Sequence, residues 1–362
     1  MKLTAEKQDL VALLGRVKSA VEKRNTIAAL ANVALTASGD TLKAKATDLD
    51  MEITSQCRAT IQIEGETTVS ADMLAQAIGK MPNGSLVTLA MDKGTLVVYV
   101  GRSRYKLETL PIEEFPVMAD DTYDGAFTVS GPDIAKLFGL TRFAMSTEET
   151  RYYLQGVYLH PQDGLVIGAA TDGHKLAKVT VKCDADFSGV IVPKKTVNAI
   201  VGIADISDIS VSVSATKIRF DMGDTVIVSK VIDGTFPDYT RVIPSALPNI
   251  VEANAAKIKA ATDRVSIISA DARTKAVKLD IAADAITFTT NGNGQNEAVD
   301  VVEVSYDGTP MTIGFNAAYL AAIMAQCSGD DFTMYLGSPS DPVKVTPRGD
   351  DSEVYVCMPM RV

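Results

Sequence analysis

The chain has 362 residues, of which 46% are apolar, 22% charged and 6% aromatic with no Trp, and its formal net charge is −10. This is ordinary globular composition, which excludes a disordered chain or a disulfide scaffold, and the acidic balance argues at first against a nucleic-acid partner. No apolar run approaches the roughly 20 residues of a membrane span, and Met1-Lys2-Leu3 leads straight into helix-forming sequence without a signal-peptide core, so a soluble cytoplasmic protein with no membrane association is expected.

In chain order, Thr4 precedes a helix pattern, Leu10-Leu13-Leu14-Val17, with the i, i+3, i+4, i+7 spacing of one buried face. Strand signals follow at Val33-Ala34-Leu35-Thr36, with a turn at Ser38-Gly39-Asp40. A second helix starts at Ser70 and carries Leu74-Ala77-Ile78-Met81, then come a strand at Leu96–Val100 and the pair Phe115-Pro116. The same order then recurs. Ser130-Gly131-Pro132-Asp133 is a capping-box-like start for Ile134-Leu137-Phe138-Thr141, followed by strand residues Val157-Tyr158-Leu159 and a turn at Asp163-Gly164. Pro193 opens Val197-Ile200-Val201-Ala204, before a strand at Ile209–Val213 and Phe236-Pro237. Finally Asn254 precedes Ile258-Ala261-Thr262-Val265, strand residues 277–281 follow, and Asn316 precedes Leu320-Ile323-Met324-Cys327. A strand at Phe332–Leu336 and Met358-Pro359 complete the order, and proline at these closing points suits an edge or strand end.

The first helix pattern repeats every 124 residues and the second every 123, so the chain is one unit built three times. At roughly 100 to 200 residues per domain, three domains are expected, with boundaries at 1–121, 122–245 and 246–362 and linkers near 119–124 and 244–248. Each unit is two helices on one or two antiparallel sheets, an α+β fold.

The expected helical segments are 10–24, 70–82, 133–145, 193–205, 254–268 and 316–328, and they hold twelve Lys/Arg against five Asp/Glu. They therefore carry +7 and the remainder −17. Either Lys and Arg are simply good solvated helix residues, or the helices form a basic, phosphate-facing surface whose binding is nonspecific and salt-sensitive. No helix-turn-helix, zinc finger, RNP motif or aromatic stacking strand offers base readout. Cys57, Cys183, Cys327 and Cys357 form no C-x-x-C pair, which fits buried free thiols, and His160 and His174 alone leave little for metal or triad chemistry. Asp172-Gly173-His174 could be imagined as a hydrolytic pair. Yet G-x-S-x-G, P-loop, H-E-x-x-H and dinucleotide fingerprints are all missing, so a non-enzyme without cofactor or metal is expected.

Seven stretches then carry a resemblance. They are Thr47-Asp48-Leu49, Gly101-Arg102-Ser103-Arg104-Tyr105, Arg151-Tyr152-Tyr153-Leu154-Gln155-Gly156-Val157, Ala170-Thr171-Asp172-Gly173-His174-Lys175-Leu176-Ala177, Asp233-Gly234-Thr235-Phe236-Pro237-Asp238-Tyr239, Gly314-Phe315-Asn316 and Tyr355-Val356-Cys357-Met358-Pro359-Met360-Arg361. In this order, over nearly the whole length, the chain resembles the β subunit of bacterial DNA polymerase III, the processivity sliding clamp.

The resemblance implies a head-to-tail homodimer whose two three-domain crescents close a ring around double-stranded DNA, helices inside and sheets outside. A sliding lining needs repeated, modest positive charge and no base contact, and heterologous contacts close a ring when the rotation allows. It implies that Arg24, Lys80, Lys136, Arg142, Lys194, Lys195, Lys257 and Arg264 face DNA. It also implies that Arg102, Arg104, Tyr105 and Leu107 meet Ile267, Ile268, Glu297, Asp300 and Glu303 of a second copy; surface charges and two core isoleucines would be the plainer reading. The family binds short peptides of the polymerase III alpha subunit, the clamp loader and other clamp-binding-motif proteins between the second and third domains. The matching positions are Arg151, Leu154, Thr171, Gly173, His174, Leu176, Pro237, Arg241, Val242, Asn316, Tyr319, Val343, Val356, Met358, Pro359, Met360 and Arg361. Leu, Val and Met offer adaptable area to Leu or Phe anchors.

Departures from the family pattern fall at Gln155, Lys175, Glu148-Glu149 and Thr274-Lys275-Ala276. A three-repeat scaffold that binds peptides without encircling DNA is the alternative that the repeat alone leaves open.

Overall fold

The computed structural model describes every residue except 23–26, 120, 205–206, 246, 269–274, 293–295, 328–330 and 362. Among the described residues the α-helices are α1 (Lys7–Val17), α2 (Ala71–Gly79), α3 (Gly131–Thr141), α4 (Lys194–Ile203), α5 (Ala255–Ser266) and α6 (Ala317–Gln326), and antiparallel strands make up most of the rest. The expected apolar stripes fall on buried helix faces, Leu10, Leu13, Leu14 and Val17 of α1 being at most 5% exposed, except that in α4 Val201 and the following Ala204 are only half-buried and Thr196 and Ala199 join Val197 and Ile200 in the core. Burying each such side chain stabilises the fold by about 1.5 to 3 kcal/mol, so Leu13→Ala would remove about 2 to 5 kcal/mol.

Caps explain most helix starts. The Ser70 and Asn254 side chains accept from the Met73 and Lys257 amides, Asn316 accepts from Ala318 and Tyr319, and Ser130 Oγ accepts from Asp133 N while donating to its carboxylate. Thr4 does not cap α1. It lies within strand Lys2–Glu6, and the residue before α1 is Glu6, whose side chain caps nothing.

The helices are also shorter than their periodicity suggests. α1 gives way to a 3-10 turn at Lys18–Ala20 and then to extended Val21, and α2 stops at Gly79. The six helices proper thus hold eight Lys/Arg and four Asp/Glu, a charge of +4 rather than +7. Lys18, Lys80 and Arg142 sit in the turns directly after helices. Pro116 and Pro237 lie in loops, and Pro359 lies just past the strand that ends at Cys357, with Met358 between. Cys327 and Cys357 are buried thiols as expected, whereas Cys57 and Cys183 are half-buried.

The chain divides into two compact units. Residues 1–135 with 183–232 form one, and residues 136–182 with 233–362 form the other. In the first unit a 13-stranded sheet runs continuously from the first repeat into the second, because Thr225–Lys230 pairs antiparallel with Met51–Arg58 (Thr225 opposite Ser55, Ile227 opposite Ile53). In the second unit Lys175–Lys182 pairs with Glu353–Cys357 in the corresponding way, Lys175 opposite Cys357 and Val179 opposite Glu353. A separate four-stranded sheet there has the order Glu297–Glu303, Ala285–Asn291, Ala276–Ala282, Met311–Asn316. Gly168 is required where α3 crosses this unit's sheet, since a Cβ there would lie 2.3 Å from Leu137 Cδ2.

Candidate functional site: an apolar cavity beside a tight Asp-Gly loop

The site grows from the turn between strands Leu165–Thr171 and Lys175–Lys182. Asp172 Oδ1 accepts from the His174 and Lys175 amides (both 2.9 Å), its Oδ2 pairs with Lys175 Nζ, and Thr171 Oγ1 donates to the Lys175 carbonyl (2.7 Å). These bonds hold Gly173 at φ +89°, a conformation that favours glycine. Arg151 approaches the loop from outside: Nη1 donates to the Asp172 carbonyl at 3.3 Å, Nε pairs with Glu148 at 3.2 Å, and a Cβ on Gly173 would meet Nη1 at 3.0 Å.

Beside this turn lies a cavity of about 170 Å³, lined by Leu154, Thr171, Gly173, His174, Lys175, Leu176, Pro237, Asp238, Tyr239, Val242, Val356 and Met358. The strand that ends at Cys357 carries Val356 to its wall, and Met358 N donates to the His174 carbonyl at 2.9 Å, which ties the C-terminal segment to the Asp-Gly loop. Lys175 Nζ sits 4.6 Å above the Tyr319 ring, and the His174 ring is 5.8 Å from the same ring. Burial, with the nearby Asp172 charge, raises the Tyr319 hydroxyl above its ordinary range.

Behind the cavity four rings close a cycle. Phe236 stacks on Tyr158 (5.1 Å, 8°), Tyr158 on His160 (4.8 Å, 28°), and His160 Nε2 is 2.9 Å from the Tyr239 hydroxyl. Burial pushes the Tyr239 hydroxyl up to about 12. Burial, and to a lesser degree the Lys178 charge, hold His160 below its ordinary value.

Nine residues expected at the cleft line this cavity: Leu154, Thr171, Gly173, His174, Leu176, Pro237, Val242, Val356 and Met358. Pro359, Met360 and Arg361 instead line a second, more polar cavity of about 580 Å³ with Thr312, Ile313, Gly314 and residues 338–340, where Met360 N bonds the Gly314 carbonyl. The remaining five serve neighbouring elements. Arg241 points outward and pairs with Asp238, Asn316 caps α6, Val343 is core, and Arg151 and Tyr319 brace the Asp-Gly loop. Sequence reasoning missed Asp238 and Tyr239 as wall residues and gave Lys175 only as a family departure. The Phe-Pro-Asp-Tyr run was the available signal for the first two.

Among the basic residues expected to face DNA, Lys80, Lys136, Arg142, Lys194, Lys257 and Arg264 are exposed and Lys195 half-buried, while Arg24 lies outside the described residues. Several are already neutralised: Lys136 pairs with Glu353 (2.8 Å), Lys195 with Asp48 and Arg264 with Asp300 (2.6 Å). Lys80, Lys194 and Lys257 form no ion pair among the described residues.

Of the residues expected at a subunit contact, Arg102, Arg104, Tyr105, Glu297 and Glu303 are exposed, Ile267 is 79% exposed, and Ile268 and Asp300 are intermediate. Leu107, at 8%, belongs to the chain's own core. Among the described residues, 103–108 have one strand neighbour, Thr95–Val100, because pairing on their other side is confined to Thr109 and Leu110. Among the described residues, strand Glu297–Glu303 pairs only with Ala285–Asn291, and it exposes Val299 and Val301.

Comparison with known proteins covers the whole of this arrangement. Family models for the DNA polymerase III beta subunit match in chain order: the N-terminal domain over residues 1–119, the central domain over 128–238 and the C-terminal domain over 240–361. The beta sliding clamp of Caulobacter vibrioides is 40% identical over 373 residues, covering 100% of both chains. Among solved structures, the C. crescentus beta sliding clamp aligns with TM-score 0.92 at 41% identity, and the Pseudomonas aeruginosa sliding clamp bound to griselimycin with TM-score 0.96 at 30% identity, each covering 100% of both chains. With its three α+β clamp domains, the chain belongs to the bacterial DNA polymerase III beta subunit family, the beta sliding clamps.

Proposed function

We propose that this chain is the non-catalytic clamp of a replicative polymerase: a head-to-tail dimeric ring that encircles duplex DNA and tethers the polymerase III alpha subunit, the clamp loader and other peptide-bearing partners. The observation that carries this reading is family membership over the whole chain. Three domains, divided near 121 and 245, supply half of a sixfold ring.

Strand edges support the closure. An unpaired edge is a template for another strand, and the two edges here have opposite sign: Arg102, in the turn before the strand, and Arg104 precede Tyr105 on one, and Glu297, Asp300 and Glu303 surround Val299 and Val301 on the other. A second copy would satisfy both, with Tyr105, Ile267 and the valines at an apolar centre and the charges setting register. Phosphate contact falls chiefly to Lys80, Lys194 and Lys257, whose charge is uncommitted among the described residues, and needs no base reading.

The cavity beside Gly173 is the peptide cleft of this reading. Leu154, Leu176, Val242, Val356 and Met358 wall it with apolar surface suited to a Leu or Phe anchor, while backbone and Arg151 on the rim offer polar contacts. Griselimycin, bound by the Pseudomonas relative, would bind here and compete with such a peptide.

Two measurements test the whole. Solution mass should be that of a dimer, and the loaded protein should be retained on nicked circular DNA and lost when that DNA is linearised. Retention that ignores linearisation would overturn encirclement and leave a non-encircling scaffold.

A further inference from the structure

One wall of the cavity has no strand to hold it. Pro237–Val242 runs through a loop and the 3-10 turn Tyr239–Val242, and its backbone bonds are local, Ile243 N to the Thr240 carbonyl at 3.3 Å closing the turn. Asp238 caps the same turn through the Thr240 amide and hydroxyl and the Arg241 guanidinium. None of these bonds reaches the sheet. A short 3-10 turn on a free loop is a poor base for a preformed pocket.

The connection to the sheet is made by side chains. Strand Gly156–Gln162 is fixed by its ladder to Leu165–Thr171, and Tyr158 and His160, two residues apart, project from one face of it. Phe236, just before the wall, stacks on Tyr158, and Tyr239, the first residue of its turn, reaches His160. The Pro161 carbonyl can only accept, so at 3.4 Å His160 Nδ1 carries the hydrogen. Nε2 is then the acceptor, and the Tyr239 hydroxyl donates to it at 2.9 Å. His160 is the one member of the four-ring cycle that both stacks and hydrogen-bonds.

We propose that His160 is the positioning residue of the cavity: it accepts the Tyr239 hydroxyl and, through Tyr158, clasps the Pro237–Val242 wall to the sheet, so that the pocket is formed before an apolar peptide anchor enters. A wall ordered in advance spares the ligand the cost of ordering it, which is how a residue behind the pocket sets affinity. This inference rests on reading the cavity as the peptide cleft.

The test uses the full-length protein, a fluorescein-labelled decapeptide carrying Leu and Phe anchors, and amide hydrogen exchange over residues 237–243 without ligand. His160→Phe keeps a ring but removes the acceptor, Tyr239→Phe removes the donor, and His160→Gln restores an acceptor. His160→Phe and Tyr239→Phe should each weaken peptide binding about three- to tenfold, the magnitude of one lost hydrogen bond. Their combination should be no worse than either alone, since both remove the same bond. Wall exchange should rise in the same variants, and His160→Gln should recover most of both effects. Faster exchange with affinity within twofold of wild type would make His160 merely structural and overturn the proposal, as would unchanged exchange in His160→Phe. A wild type that binds neither the decapeptide nor griselimycin would instead refute the cleft reading, and the exchange result would still decide whether His160 holds the wall.

Discussion

Gly173→Ala separates the fold of the Asp-Gly loop from its use. At φ +89° an L side chain costs about 1 to 2 kcal/mol, and removing a glycine from the unfolded chain returns about 0.4 to 1 kcal/mol, so the net loss of stability should be between about 0 and 1.6 kcal/mol. The first repeat shows that such a loop accepts a side chain: Leu49 occupies the corresponding position at φ +77°, with its amide 3.0 Å from Thr47 Oγ1 as the Gly173 amide is 3.0 Å from Thr171 Oγ1. Binding should suffer more. The new methyl would meet Arg151 Nη1 at 3.0 Å, displacing a flexible side chain cheaply, but it also occupies the rim of a cavity of only about 170 Å³. Overpacking of this kind costs about 1 to 3 kcal/mol, so peptide affinity should fall about 5- to 150-fold. Anisotropy with the labelled decapeptide gives the affinity, and urea unfolding followed by circular dichroism gives the stability. Leu49→Gly is the control and should leave peptide binding unchanged. A folded Gly173→Ala variant with wild-type affinity would refute the placement of the peptide against this loop.

Met358→Ala should weaken peptide binding about tenfold while sedimentation still finds a dimer, because the side chain walls the cavity and belongs to neither free strand edge. Ile267→Glu, at a residue 79% exposed, should leave the monomer's circular dichroism intact and shift the sedimenting mass from dimer to monomer. Replacing Lys80, Lys194 and Lys257 together by Ala should flatten the dependence of log K for DNA on log salt by about 0.9 for each phosphate that is no longer neutralised, read from binding titrations at several salt concentrations. His160 is held below its ordinary 6.5, so the unfolded chain takes up this proton at higher pH than the folded one. Its contribution to stability is therefore complete above about 6.5 and lost as the pH falls through that value towards the lower folded one. Thermal unfolding between pH 7.5 and 5 should show a fall in wild type that is smaller in His160→Phe.

The periodic elements were the legible part. The apolar stripes, from Leu10-Leu13-Leu14-Val17 to Leu320-Ile323-Met324, are buried helix faces because a 3.6-residue period has few other uses, and only the fourth, where Val201 and Ala204 are half-buried, departs from this. Helix ends were not legible. Lys18 and Arg142 extend the basic pattern yet lie in 3-10 turns, since nothing in a charge pattern marks where backbone bonding changes. Pairing partners were equally hidden. That Arg264 meets Asp300 across 36 positions, or Lys136 Glu353, depends on tertiary placement, and it halves the simple picture of a uniformly basic helix surface. At the cavity, Leu154, Leu176 and Met358 could be named through a resemblance carried by contiguous motifs. Tyr239 was hidden in its role because the partner that makes it a wall, His160, stands 79 residues away.

The two sheet-spanning pairings show why only one of them is furnished for an apolar anchor. In the first unit Asp48 Oδ1 accepts from the Asp50 and Met51 amides, Thr47 Oγ1 donates to the Met51 carbonyl, and Lys230 N donates to the Asp50 carbonyl at 2.8 Å. Every one of these bonds has its counterpart in the second unit, 124 residues later on the loop, down to Met358 N on the His174 carbonyl at 2.9 Å. The backbone frame is thus the same, and the side chains differ. Where the second unit has His174, Leu176 and Met358, the first has Asp50, Glu52 and Lys230, with Lys230 paired to Asp50 at 2.9 Å and Glu52 to Lys45 at 2.9 Å. An apolar side chain entering the first frame would strip water from paired charges without replacing their bonds, which costs more than its own burial returns. Entering the second, it would desolvate Leu, Val and Met. The same loop thus occurs twice, and on the proposed reading the copy that carries His174, Leu176 and Met358 in place of Asp50, Glu52 and Lys230 is the one that would admit an apolar anchor.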